Sequence, residues 1–319
     1  MELVHLAAVQ AEQRFERYLA ETAFASWIDG LTAAAVATRG KAAHALVCFP
    51  ETIGLPLALI LDHADRVRSA PTAAAAVTRI LAAEWPAVLR AILDGHLGPA
   101  AFWAARAPRV GPVYVRAFAE AARRHGAWIS TGSAFLPRRE REAALGEQWR
   151  GRVYNLSFLI SPTGQVVAQS AKVNLTRGRE SGIGLARAKA HEIRPAELPF
   201  GKVATLICYD AFFESLVESA DAQGARFLLQ PSANHARWEG PWSADAKLVE
   251  GQEWWDRGLP SLLQGRANLR YGVNAMLVGK VFDLAPEGRS TILRADADPY
   301  LAVAADARSE CVITATVEP

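Results

Sequence analysis

Five small, branched or aliphatic residues, Val203 to Ile207, run straight into Cys208-Tyr209-Asp210, and a helical pattern follows from Ala211 to about Gln223. The run is short, branched and aliphatic, which predicts a strand buried on both faces. Asp210 is the expected N-cap of the helix. A thiol at such a corner lies at the rim of a sheet, where backbone N–H groups at a helix start can serve a developing negative charge. On this stretch alone a packed core cysteine is an equal reading, because free Cys is among the most buried residue types.

The same grammar recurs along the chain. Leu3 to Val9 reads as a first strand, with a helix from about Ala11 to Thr38. Ala45 to Phe49 is a second buried strand and leads directly into Pro50-Glu51-Thr52. A carboxylate just past the carboxyl end of a strand is where ligands of α/β sheets gather; a surface Glu in a loop is the alternative. Leu57 to about Ala107 is Ala-rich and helical, punctuated at Pro71, Pro86 and Gly98-Pro99. It is expected to form two or three helices over one face, as a lid or a plain packing layer. Pro112 to His125 reads as a helix, Ala127 to Ser133 as a strand, and Arg138 to Arg150 as a charged, solvated loop.

Val153 to Ser161 and Gln165 to Val173 are two strand-like arms around Pro162-Thr163-Gly164, a hairpin with the right turn chemistry. The second arm carries Lys172, which a snorkelling surface lysine would equally explain. A Gly- and Arg-rich loop, Asn174 to Ala186, follows and contains Glu180. A second hairpin is expected over Leu198 to Ile207, turned at Gly201-Lys202. Beyond it come a strand at Arg226 to Gln230, helical stretches at Trp242 to Trp255 and Pro260 to Arg270, and four short strands. These are Val273 to Val278, Val281 to Leu284, Ser290 to Leu293 and Val312 to Val317.

Composition narrows the function classes. The chain of 319 residues is 51% hydrophobic and 21% charged with a formal net charge of +2, so nothing invites a nucleic acid or a membrane surface. The 3 cysteines, Cys48, Cys208 and Cys311, are too few and too scattered for a disulfide framework or a zinc site, and they suggest a reducing, cytoplasmic setting. The N-terminus has no secretory pattern, and no apolar run approaches the roughly 20 residues of a membrane span. No metal site or phosphate loop is written in the chain, and no cofactor is expected. With no linker in sight, the chain reads as one domain over residues 1–319, its strands forming a mixed α/β arrangement.

Glu51, Lys172 and Cys208 each adjoin their own apolar strand, so they are able to converge on one sheet edge. Their order and local contexts resemble the nitrilase, or carbon–nitrogen hydrolase, superfamily. The pieces that carry the likeness are LVHLAAVQ at the start, FPET around Glu51, YNLSFLISPTGQVVAQSAKVNL up to Lys172, LICYD around Cys208, LLQPSAN ending at Asn234, and GRANLRYGVNAMLVG. The likeness leaves out about 57–107, which looks like a helical insertion.

The resemblance implies a four-layer αββα sandwich of two mixed sheets, often paired into a homodimer. It also implies a Glu51-Lys172-Cys208 triad that hydrolyses a non-peptide amide or N-carbamoyl compound through a thioester. In that triad the Lys172 ammonium is expected to favour the thiolate form of Cys208. Glu180, eight residues beyond Lys172, has the spacing of a second glutamate in the aliphatic amidase branch, with Glu192 and Glu197 as substitutes. Tyr209, through its backbone N–H, would help hold the oxyanion. Phe135, Asn234, His235, Trp238 and Trp242 are candidates to line the substrate pocket.

Two departures stand out. Related amidases follow Cys-Tyr-Asp with Ile-Arg-Phe-Pro-Glu, where this chain has Ala211-Phe212-Phe213-Glu214-Ser215; and many members have Glu-Asn where Arg270-Tyr271 stand. Nitrilases commonly carry Cys-Trp-Glu at the nucleophile, so Cys-Tyr-Asp favours an amide. Nitrile hydrolysis, acyl transfer by the same thioester, and a silent binding scaffold remain as alternatives.

Overall fold

A computed structural model describes residues 2–139, 149, 151–176, 180–242, 244–296 and 298–319. Most of the charged loop expected at Arg138 to Arg150 lies outside the described residues, as do Arg177, Gly178 and Arg179 beside Glu180.

Strand β1 (Val4–Gln13) is followed by a short 3-10 turn at Phe15–Tyr18 and by α1 (Glu21–Val36). The helix therefore starts at Glu21 rather than near Ala11. Ala11, Glu12 and Gln13 are strand residues because they pair in parallel with Leu277, Val278 and Gly279, a partner that no local pattern reveals. Next come β2 (His44–Cys48), α2 (Leu55–Ile60), α3 (Ala64–Val67), α4 (Ala73–Leu93) and α5 (Pro99–His125). Helix α5 passes through Pro108 and Pro112 and absorbs the separate helix expected to begin at Pro112. Each proline removes one helical hydrogen bond. The burial of Phe102, Trp103, Val110, Tyr114 and Phe118 along one continuous face outweighs that loss.

The expected strand at Ala127 to Ser133 is confined to β3 (Trp128–Ser130), β4 (Ala134–Pro137) beyond it has no counterpart among the expected strands, and β5 (Val153–Ile160) with β6 (Val166–Ala171) forms the expected hairpin. The second hairpin, β7 (Ala196–Leu198) and β8 (Gly201–Thr205), turns at Pro199-Phe200 instead of Gly201-Lys202, since Leu198 pairs with Gly201. A 3-10 turn at Cys208–Phe212 precedes α6 (Glu214–Ala222). Then follow β9 (Ala225–Ser232), α7 (Glu250–Asp256), α8 (Leu259–Leu262), β10 (Tyr271–Gly279), β11 (Thr291–Arg294), β12 (Tyr300–Val303) and β13 (Cys311–Val317). Helices α7 and α8 are shorter than their sequence patterns suggest. Val281 and Leu284 make an isolated bridge rather than a strand, and β12 has no counterpart among the expected strands.

The strands form one curled, continuous path, β4-β5-β3-β2-β1-β10-β9-β8-β7, with β6 on β5, β13 on β1, β11 on β10 and β12 on β11. The path bends at β1, whose Val4–Ala8 segment pairs with β2 and whose Ala11–Gln13 segment pairs with β10. From β3 through β2, β1, β10 and β9 to β8 every pairing is parallel. The carboxyl ends of these strands therefore share one edge, and β6, antiparallel to β5 as β5 is to β3, points the same way.

Side chains alternate between the faces of each strand. Ala7, Val9, Val47 and Phe49 pack with α1 and α5. Their neighbours Leu6, Ala8, Leu46 and Cys48 join Val203, Phe227, Leu229 and Val273 from the other limb of the path. Ala204, Leu206 and Leu228 turn the opposite way, toward α6 and α8.

Candidate active site

Glu51 stands in the turn after β2. The backbone N–H of Thr52, at φ 55°, is held by Ser133 Oγ at 2.8 Å, and Gly54 N–H reaches Ser133 O at 3.0 Å. This contact needs Gly132, whose φ is 75° and where an added Cβ would fall 2.0 Å from the carbonyl oxygen of Pro50. Lys172 follows β6 directly, and its backbone N–H bonds to Asn155 O at 3.0 Å. Glu180 is tied to Thr176 twice: its N–H donates to Thr176 O, while its Oε2 accepts from Thr176 N–H at 2.9 Å.

These three side chains meet. Lys172 Nζ lies 2.7 Å from Glu51 Oε1 and 2.6 Å from Glu180 Oε2. Asn155, fully buried, donates its amide N–H groups to Glu51 Oε1 at 2.8 Å and to Glu180 Oε1 at 2.7 Å. Two carboxylates of like charge thus share one ammonium and one amide. Asn155 is not among the residues that the sequence singles out. Its signal, a polar residue inside the apolar YNLSFLI run, is present but reads equally as an outward-facing strand position. Glu192 instead pairs with Arg138, and Glu197 lies 3.8 Å from Lys202, so neither joins the cluster.

Cys208 has φ 52°, a left-handed conformation that costs a non-glycine residue about 1–2 kcal/mol. Tertiary bonds maintain it. Gln230 Nε2 donates to Cys208 O at 3.0 Å. Asp210 does not cap the helix as expected. Its carboxylate accepts from the backbone N–H groups of Val173 at 2.9 Å and Asn174 at 2.7 Å, and so ties the thiol corner to the chain just after Lys172. The thiol lies near enough to Glu51, the Ala233 backbone and Lys172 for each to shift its ionisation. Glu51, Lys172, Glu180 and Cys208 are 3%, 1%, 7% and 7% exposed.

Burial decides the electrostatics. It pushes the Cys208 thiol well above the usual range, and the Glu51 charge adds to that, against the opposing pull of Lys172 and Ala233. Lys172 pulls toward the thiolate, as expected, but burial and the Glu51 charge together outweigh that pull. Burial also raises Glu51, with Lys172 opposing and Glu180 adding to the rise. For Glu180, burial is outweighed by the Lys172 charge and by bonds from Lys172, Thr176 and Asn155, and its carboxyl is held low. Burial would likewise lower Lys172, but Glu51, Cys208 and Glu180 prevail and keep it cationic. Asp210 is raised by burial to about 6, against the pull of its backbone donors.

A cavity of about 380 Å³ opens beside the cluster, lined by Glu51, Lys172, Glu180, Phe135, His235 and Trp103 among others. Phe135 stacks edge-on against Trp103 with ring centres 5.1 Å apart. Of the other expected residues, the Tyr209 side chain is 44% exposed and packs on Phe212 and Phe213. Asn234 does not line the cavity; it closes a local turn with Ala236 N–H at 3.1 Å. Trp238 is buried with Cys208, Ile207 and Trp254 behind the corner, and Trp242 lies under the Arg257 guanidinium. Among the described residues, no group of three or more His, Cys, Asp or Glu side chains is placed to hold a metal ion, and no helix is long and apolar enough to cross a membrane.

The chain is similar along part of its length to deaminated glutathione amidases. It is 31% identical to that of Rattus norvegicus over 135 residues, 38% of this chain and 39% of that one. It is 28% identical to that of Yersinia enterocolitica over 134 residues, 38% of this chain and 43% of that one. The match spans well under half of either relative. Its fold is similar to that of an amidase from Nesterenkonia sp. AN1, solved as a glutamate-to-glutamine mutant with acrylamide added to the active-site cysteine. The TM-score is 0.63 and the identity 16%, over 98% of this chain and 92% of that one. The family profile described as carbon-nitrogen hydrolase matches residues 5–318, so the chain belongs to the carbon–nitrogen hydrolase family of the nitrilase superfamily, whose enzymes cleave carbon–nitrogen bonds other than peptide bonds.

Proposed function

We propose that the protein hydrolyses a small-molecule amide or N-carbamoyl compound through a thioester on Cys208, with Glu51, Lys172 and Glu180 as the other working residues. The observation that carries this reading is the sharing of the Lys172 ammonium between Glu51 and Glu180, at 2.7 and 2.6 Å, with all three lining a cavity and the Cys208 thiol near enough to Glu51 and Lys172 to feel both charges.

Glu51 Oε1 is occupied by Lys172 and Asn155, which leaves Oε2 for the thiol. As Cys208 Sγ attacks the amide carbon, its proton passes to Glu51 and the carbonyl oxygen becomes an oxyanion. An ammonium has three donors and the two carboxylates use two, so the third is free for that oxyanion together with the Tyr209 backbone N–H. Collapse breaks the carbon–nitrogen bond while Glu51 returns the proton to the departing nitrogen. Water then gives a proton to Glu51, attacks the thioester carbon, and expels the Cys208 sulfur, which regains the proton. Moving the proton with the attack suits a thiol whose burial opposes a free thiolate. Glu180, held low, keeps Lys172 charged and in place throughout.

The same reading takes the two limbs of the strand path as the inner layers of an αββα sandwich; the apolar cluster they share supports it. It further includes a single domain with a helical insertion at about 57–107, a homodimer, and a cytoplasmic setting, the last supported by three unpaired cysteines. A cavity that reaches Glu51 and Lys172 weighs against a silent scaffold. The test is intact-mass analysis of a Glu51→Gln variant incubated with a panel of amides, carbamoyl amino acids and nitriles. An acyl adduct mapping to Cys208 supports the reading, and one on any other residue ends it. Ammonia from nitriles but not amides would turn the assignment to a nitrilase.

A further inference from the structure

We infer that the site selects amides whose acyl group is uncharged and apolar, and that α4 helps to form the wall, shared with α2 and α5, that imposes this choice. The inference rests on the amide hydrolysis proposed above and names its substrate class.

Away from the catalytic cluster the cavity is walled by Leu55 and Leu59 of α2, Val77 of α4, Trp103 of α5, Phe135 and Ile183. The wall is braced. The Arg106 guanidinium, buried, donates to Ala58 O at 3.2 Å and Leu61 O at 2.8 Å and pairs with Glu84 at 2.7 Å, which locks α2, α4 and α5 together. Trp103 Nε1 donates to Ile183 O at 3.1 Å, and Asp283 accepts from the N–H of Ala73 at 2.8 Å at the start of α4.

The charges in the cavity point the same way. Among its described lining residues Lys172 is the only Lys or Arg, and it is already engaged by Glu51 and Glu180; Asp283 adds another carboxylate. A substrate carboxylate would have to be desolvated against leucine, valine and indole with Glu51, Glu180 and Asp283 as like charges nearby, and among the described lining residues only His235 besides Lys172 could carry a positive charge. An aliphatic acyl chain gains from the same surface.

The test compares kcat/KM for hexanamide and for 6-amino-6-oxohexanoate, which carries a carboxylate where hexanamide has its terminal methyl. The wild-type enzyme is expected to favour hexanamide by about 100-fold or more, as for burial of an unpaired charge. Equal rates, or a preference for the acid, overturn the inference while leaving amide hydrolysis standing; turnover of neither, nor of any other amide, removes both. Val77, half-buried on α4, supplies the second arm. Val77→Lys should raise the acid-to-neutral ratio at least about tenfold by placing a cation on the wall. An unchanged ratio in the folded variant overturns the role given to α4.

Discussion

Cys48 and Cys208 make an instructive pair. Both are buried near the end of an apolar strand, and in both burial pushes the thiol above its usual range. Cys48 sits within β2 in regular strand conformation, with Ser130 and the Phe49 carbonyl as its polar neighbours. Cys208 lies past its strand at φ 52°, facing Glu51 and Lys172. A thiol in a core and a thiol in the proposed site therefore differ little in burial or in the direction of their shift. They differ in whether a base and a cation stand within reach, and in a backbone turn that carries the sulfur out of the sheet.

The sharpest way to break this comparison is to remove each sulfur. Cys208→Ala should lower amide turnover by about 10⁴-fold or more without unfolding the protein. Cys48→Ala should keep the activity and lose about 1 kcal/mol of stability from lost packing. Chemical denaturation together with single-turnover rates separates the two, and an inactive but folded Cys48 variant would reverse the assignment. Next in size is Lys172→Met, which leaves two buried carboxylates without their shared charge. It should cost about 100- to 1,000-fold in rate and roughly 3–5 kcal/mol in stability.

Asn155→Leu probes the link that Cys48 lacks altogether. Each lost bond to a charged group is worth about 1.5–3 kcal/mol, so the rate should fall roughly 10- to 100-fold. The acid limb of kcat/KM reports the ionisation of Glu51, which burial has already raised, and removing a donor to Glu51 should move that limb to higher pH. A slower variant with an unmoved limb would make Asn155 a packing residue only.

The smallest effect concerns Asp210, which braces the Cys208 corner. Its folded pKa of about 6 lies above the ordinary 3.8, so the native state holds this proton more tightly than the unfolded chain. That contribution is complete below about 3.8 and is lost as pH rises through about 6. At about 1.4 kcal/mol per pK unit, the loss is at most roughly 3 kcal/mol. Asp210→Asn should flatten the stability profile in this window, as followed by urea unfolding at several pH values; a profile as steep as the wild type's would contradict the assignment.

Much of this arrangement is legible in the chain. Short strand-forming runs are local signals, and so Val203 to Ile207, Ala45 to Phe49 and Gln165 to Val173 already mark the strand ends beside which Cys208, Glu51 and Lys172 stand. The extension of β1 to Gln13 is not legible, because it depends on pairing with residues 277–279. Nor is the continuity of α5 through two prolines, which packing against the rest of the fold sustains. The helix cap expected of Asp210 is a local role, and a pair of backbone N–H groups about 36 residues away claims its carboxylate instead.

By itself, the sequence determined which residue types stand at which strand ends, because strand and helix periodicity are written in neighbouring residues. Only the tertiary structure decided that Asn155 joins Glu51 to Glu180, that burial opposes the pull of Lys172 on the Cys208 thiol, and that apolar helices wall the cavity. Those outcomes depend on desolvation and on contacts between residues far apart in the chain, and neither quantity exists until the chain is folded.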